Sequence, residues 1–176
     1  MSVLIAIASA HNTTTTIGQR IAARLATHIP GPVDVRPITE IPASNGIAPY
    51  SAVIVGSAIH MATWLPPARK FLTAQQVPLS ERPVWAFSVG VPNTEEYAAL
   101  EREKMEALVR KSVPQLRGHT LFQGRIEREQ LAWPVALFFK WFPKSAKFGD
   151  FVEWEEVDKW ADKVGEEMKE AMKVSK

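Results

Sequence analysis

Three stretches of the chain set hydroxyl, amide or imidazole groups directly behind apolar runs. The first is Ser9-Ala10-His11-Asn12-Thr13-Thr14-Thr15-Thr16, which follows Val3-Leu4-Ile5-Ala6-Ile7-Ala8. A hydroxyl-rich turn entering a helix gathers backbone N–H groups, side-chain hydroxyls and the positive end of the helix dipole, which suits a phosphate. The same residue types are ordinary helix N-caps, and the glycine-rich phosphate fingerprints are absent. The second stretch is Ser57-Ala58-Ile59-His60-Met61-Ala62-Thr63-Trp64, behind Tyr50–Gly56, and the third is Ser88-Val89-Gly90-Val91-Pro92-Asn93. Small residues let a backbone approach a flat ring, and Trp64 offers an aromatic face for offset stacking.

Other chemistries find no support. There are no cysteines, so thiolate catalysis, disulfides and cysteine metal sites are excluded. The four histidines (His11, His28, His60, His119) share no ligand-like spacing, and no metal is expected. No Ser–His–Asp pattern and no paired carboxylates suggest themselves. The net charge of +2, with no long basic block, gives no footprint for nucleic acid. No apolar segment approaches the roughly 18–20 residues needed to span a bilayer, and the first residues lack a basic leader. A cytoplasmic protein is expected, and 176 residues suit one α/β domain, 1–176.

The elements that must position these stretches are legible from periodicity. Val3–Ala8 is a continuous apolar run, as in a parallel strand buried on both faces. Thr14–His28 carries Ile17, Ile21, Ala22 and Leu25 at helical spacing and is stopped by Pro30-Gly31-Pro32. Val33–Ile38 reads as a weaker strand, with Pro37 suited to an edge or an end. Tyr50–Gly56 is the clearest strand, followed by a loop and a helix that opens on Pro66 and Pro67. Pro83–Ser88 is the next strand. Thr94-Glu95-Glu96 then opens a helix facing inward through Leu100, Met105, Leu108 and Val109. His119–Gly124 is a further strand, and Trp154 to about Met172 a last helix with Val157, Trp160, Ala161, Val164 and Met168 inside. Alternation of strands and helices predicts a doubly wound parallel sheet, with ligands beyond the carboxyl ends of its strands. The three stretches would then lie side by side.

In this order the residues resemble the flavodoxin-like FMN-binding family, in particular the small branch of the menaquinone-dependent protoporphyrinogen oxidase type. Ser9-Ala10-His11-Asn12-Thr13-Thr14 is similar to the family's phosphate loop, with His11 in place of a hydroxyl residue and Asn12 in place of a glycine. Asn is the residue best able to supply the left-handed backbone of that glycine. Tyr50–Pro66 is similar to the branch's strand, flavin-cradling loop and proline-led helix. Ala86–Gly90 is similar to the second flavin loop, and Gly149–Val157 to the end strand and final helix. The resemblance implies a sheet of about five parallel strands flanked by helices, and FMN as cofactor. The phosphate would fall to Ser9, His11, Thr13 and Thr14, with Asn12 shaping the loop. The isoalloxazine would lie against Ser57, Ala58, Ile59, Met61 and Trp64, with Ser88, Val89, Gly90 and Asn93 as the opposite wall. His60 would hydrogen-bond the ring edge and Trp64 stack on it, which makes these two the candidate catalytic residues.

An insertion at about 127–147 sits near the last strand. It holds Trp133, Phe138, Phe139, Trp141 and Phe142, flanked by Lys140, Lys144 and Lys147. Aromatics beside lysines suit a peripheral membrane contact, a flat hydrophobic substrate, a homo-oligomer interface, or local packing on the domain. The resemblance implies an FMN-dependent oxidoreductase acting on a bulky organic substrate or a quinone, the flavin carrying the chemistry. An electron carrier is the rival, disfavoured because such carriers are strongly acidic and this chain balances 19 acidic against 21 basic residues. A non-enzymatic accessory protein is the third reading.

Overall fold

The structure is a computed structural model, which describes residues 2–92, 94–126 and 149–174. Five strands form a parallel sheet in the order β2-β1-β3-β5-β6: β1 (Val3–Ala8), β2 (Val33–Pro37), β3 (Ala52–His60), β5 (Val84–Gly90) and β6 (Gly118–Gln123). Every strand pair along this path is parallel. The order reverses beside β1, the switch point at which doubly wound sheets open a crevice.

Alternate residues of each strand serve two cores. Leu4, Ala6 and Ala8 of β1, with Val53 and Val55 of β3, face α2 (Pro66–Ala74), α3 (Gln76–Ser80) and α4 (Glu95–Arg110). Val3, Ile5 and Ile7, with Ile54, Trp85 and Phe87, face α1 (Thr13–His28) and α5 (Trp154–Val174). Both faces are therefore covered, which is why these strands read as unbroken apolar runs. Phe87, Phe122 and Trp160 pack edge-on beneath the sheet, with ring centroids 5.7–6.1 Å apart. Gly56 lets Phe87 in, since a Cβ there would stand 2.3 Å from its ring.

Helices α1 and α5 are tied by charge as well as packing. Arg20 grips Asp158 with two hydrogen bonds of 2.7 and 2.6 Å. One turn on, Arg24 pairs with Asp162, which also takes a 2.8 Å hydrogen bond from His28 Nε2. The bonds from Arg20 and Arg24 hold both aspartates below the usual carboxylate range.

Several expectations change. The strand at 50–56 runs on to His60, and what read as a loop is a hairpin: β4 (Thr63–Trp64) folds back antiparallel on Ile59 and His60. Likewise the strand at 83–88 runs on to Gly90. Leu100 is 64% exposed rather than inward, because only Met105 and Val109 of α4 reach the core, with Leu108 at its margin. A two-stranded ribbon, β7 (Arg125–Ile126) with β8 (Gly149–Asp150), gave no periodic signal at two residues per strand. Asn93 and the aromatic stretch with Trp133, Phe138, Phe139, Trp141 and Phe142 lie outside the described residues. No described helix is long and apolar enough to cross a membrane.

Candidate functional site

A cleft of about 460 Å³ opens where β1, β3 and β5 end. One end is the turn between β1 and α1. Asn12 adopts φ 67°, ψ −13°, the left-handed conformation that its residue type was expected to supply. That kink lets Ser9, Ala10, His11, Thr13 and Thr14 line the cleft, whereas the Asn12 side chain faces a groove on the far side of the turn. Asn12 thus shapes the loop and is not on the cleft wall. Its carbonyl accepts the Thr16 N–H at 3.0 Å, and its side chain caps nothing, so the first N–H groups of α1 have no intrahelical acceptor. The Ser9 hydroxyl is buried and finds no hydrogen-bond partner among the described residues. Such an orphan costs about 1–3 kcal/mol unless a ligand atom meets it.

The other end is lined by Ala58, Ile59, His60, Met61 and Ala62 from the β3 hairpin, and by Val89, Gly90 and Val91 from β5. Met61 and Ala62 both have positive φ (50° and 57°), the backbone of a tight two-residue hairpin that Asn-Gly would fill without strain. Met61 stands 87% exposed at its tip. Glu101 of α4, Leu65, Gly124 and Arg125 complete the wall.

Three expected ring contacts face the other way. Register pairs Ser57 with Ser88 and Ala58 with Val89, so both serines share the face of Val55 and Ala86, toward α2 and α4. Ser57 is fully buried; its hydroxyl donates to the Ala58 carbonyl at 2.9 Å and accepts the Leu65 N–H at 3.2 Å, anchoring the start of α2. Trp64 is also fully buried in the core behind the cleft, its indole N–H donating to the Ser88 hydroxyl at 2.7 Å. Trp64 therefore neither stacks in the cleft nor touches a ligand there: as the second residue of β4 it turns inward to fill the space under the hairpin. Ser88 bonds in turn to His119 Nε2 at 2.9 Å. Burial pushes the His119 pKa down to about 4, so the ring is neutral at pH 7. His119 Nδ1 is buried and unpartnered among the described residues.

Glu101 and Arg125 escaped the sequence reading. Each looks like an ordinary surface charge on the primary structure, and only topology brings α4 and the end of β6 to the same cleft. The described residues hold no cluster of three or more metal-ligating side chains.

The arrangement defines a doubly wound α/β protein with a cleft at its strand ends that joins the hydroxyl-rich turn before α1 to a slot between the ends of β3 and β5. Residues 4–147 match the family described as flavodoxin domain, and the chain belongs to that family. Among solved structures it is similar to a flavodoxin from the domain Archaea (14% identity, 96% of this chain and 99% of that one, TM-score 0.62). It is also similar to rubredoxin oxygen:oxidoreductase from Desulfovibrio gigas (15%, 97% of this chain but 37% of that one, TM-score 0.63). Flavodoxin 1 from Bacillus cereus matches at 15% identity over 84% of this chain and 100% of that one, with TM-score 0.55. At such identities these likenesses establish the fold. Comparison with curated protein sequences finds no significant match.

Proposed function

We propose that the protein binds FMN in this cleft and is an FMN-dependent oxidoreductase that passes electrons between the flavin and a bulky organic substrate or quinone. The observation that carries the cofactor is the orphaned, buried Ser9 hydroxyl beside the open first turn of α1, at one end of a slot whose further walls come from the ends of β3 and β5, among them Ala58, Ile59, Val89 and Gly90. Ser9, Thr13, Thr14 and the first-turn N–H groups would hold the phosphate, with His11, exposed on the rim, adding a donor. Ala58, Ile59, Val89 and Gly90 would sandwich the ring, and His60 would reach its edge. FMN, when bound, supplies hydride or single-electron chemistry. The protein's part is to orient the ring, exclude water through Ile59, Leu65 and Val89, and leave one edge open to a partner. The type of activity, like that of the protoporphyrinogen oxidase branch, rests on the resemblance of the loops at 50–66 and 86–90.

An electron-carrier role is the second reading. The named flavodoxins match along nearly their whole length, which favours it, while the near-neutral charge disfavours it. We further propose that Trp133, Phe138, Phe139, Trp141 and Phe142 contact the bulky substrate, a membrane surface or a second subunit.

Titration of the purified protein with FMN, read by flavin fluorescence, tests the cofactor: wild type quenches the dye and Thr13→Glu, which sets a negative charge against the phosphate, does not. A wild-type protein that ignores FMN refutes the proposal. Anaerobic reduction by a panel of organic donors then separates the readings, since a carrier is reduced by protein partners and not by small substrates. Deleting 131–142 leaves FMN binding intact and abolishes turnover or membrane association; a deletion that changes neither refutes the contact role.

A further inference from the structure

The turn at Ser9–Thr14 has open space on both of its sides. Across it from the cleft, beyond the carboxyl ends of β1 and β2, lies a second groove of about 540 Å³, the size of a small-molecule site. The two spaces meet at Ser9, Ala10 and Leu65, which line both. One wall of the groove is a stripe along α1. Asn12, Thr15 and Gln19 follow at intervals of three and four residues, a spacing that sets side chains above one another on one helix face. None of the three side chains hydrogen-bonds to a described residue, so their donors and acceptors are free for a ligand. The rest of the lining comes from the chain after β2 and the start of α2. It is mostly apolar, with Pro37, Ile38 and Pro67, and the Thr39 hydroxyl stands among them. No carboxylate lines the groove, and its one charged residue, Arg36, neighbours the Tyr50 hydroxyl.

Such a lining suits a flat, uncharged group rich in hydrogen-bonding atoms. A carboxamide offers a donor and an acceptor side by side to the edge of a heterocycle, and a hydroxyl serves a sugar. Proline and isoleucine side chains give its faces an apolar cover. A flavin phosphate held at the turn has this groove on its far side. FMN ends at that phosphate and leaves the groove empty. FAD differs from FMN only beyond it, where a second phosphate, a ribose and an adenine are joined on. We propose that the groove takes the adenosine half of FAD, so that the protein prefers the dinucleotide to FMN. Asn12, Thr15, Gln19 and Thr39 bond the base and its ribose, between the apolar surfaces of Pro37, Ile38 and Pro67. The proposal rests on the reading of the cleft as a flavin site with its phosphate at the turn.

Equilibrium dialysis of the full chain against FMN or FAD, read by flavin absorbance, tests it. Wild type holds FAD about tenfold or more tightly than FMN, the scale of two net hydrogen bonds. Gln19→Ala removes an exposed carboxamide from a helix that accepts alanine, and Thr39→Trp fills the groove from its other side. Gln19→Ala weakens FAD about fivefold, and Thr39→Trp brings it down to the level of FMN. Both leave FMN affinity unchanged, because neither residue lines the cleft. Gln19→Ala melts with wild type in the flavin-free state, so its loss of FAD is not a loss of fold. Equal affinity of wild type for the two flavins, or a tighter hold on FMN, overturns the proposal and leaves the cofactor reading standing. So does a preference for FAD that survives in Thr39→Trp, or one that the variants remove by weakening both flavins alike. Failure of wild type to bind either flavin overturns both.

Discussion

The two ends of the cleft use polar residues in opposite ways. At the turn after β1, Ser9, Thr13 and Thr14 are among the residues that line the cleft. Along the walls after β3 and β5, Ser57 and Ser88 turn away from it, and the slot is faced by Ala58, Ile59, Val89 and Gly90. The difference lies in where each strand stops. β1 ends at Ala8, so the chain from Ser9 follows loop geometry and Asn12 bends it inward. β3 and β5 continue to His60 and Gly90, so their serines still obey strand alternation. A hydroxyl residue near a strand end reaches the cleft here only once the strand is over.

Four variants break or sharpen this contrast. Trp64→Ala removes a fully buried indole and costs about 3–5 kcal/mol of unfolding free energy, read by chemical denaturation, while FMN affinity at temperatures where the variant is folded stays close to wild type. A large affinity loss at unchanged stability would put Trp64 back against the ring. Next comes acid. His119 has a folded pKa of about 4, below the unfolded 6.5, so the unfolded chain takes up its proton first as pH falls. Stability is fully present above pH 6.5, declines by about 3 kcal/mol down to pH 4, and levels off below. Denaturation midpoints across pH 4–7 should show that slope, and His119→Gln should flatten it. At the turn, Ser9→Ala removes the orphan hydroxyl. It should raise the stability of the flavin-free protein by about 1 kcal/mol and weaken FMN about fivefold, reversing the usual sign of a lost polar group. The smallest effect belongs to the hairpin tip: Met61→Asn with Ala62→Gly relieves two positive-φ residues and adds about 1 kcal/mol, seen as a rise in Tm. No gain there would mean that the turn is not strained by its side chains.

The sheet was legible in the sequence because burial on both faces makes each strand a continuous apolar run. The final helix was legible because Val157, Ala161, Val164 and Met168 keep strict helical spacing over its buried face. The turn after β1 could be placed on the cleft because its residues follow local geometry, down to the left-handed Asn12. Of the walls, Ala58, Ile59, Met61, Val89 and Gly90 fall on the cleft as expected, but Ser57, Ser88 and Trp64 do not. Whether Ser57 faces ligand or core depends on whether β3 ends at Gly56 or His60, and that is decided by pairing with β4 and β5. Trp64 was misread for the same reason, since an aromatic residue in a supposed loop is, in the fold, the inner residue of a hairpin. Glu101 is invisible from sequence because its neighbours Gly90 and Ile59 are remote in the chain.

The clasp of Arg20 and Arg24 on Asp158 and Asp162 sets a schedule for the protein's birth. On the ribosome, β1, α1 and β2 emerge early, yet Ile17, Ile21 and Leu25 complete their cover only when Val157, Ala161, Val164 and Met168 arrive. Until then the first helix keeps an oily flank, and the nascent chain must wait for α5 before the turn at Ser9–Thr14 is held in place.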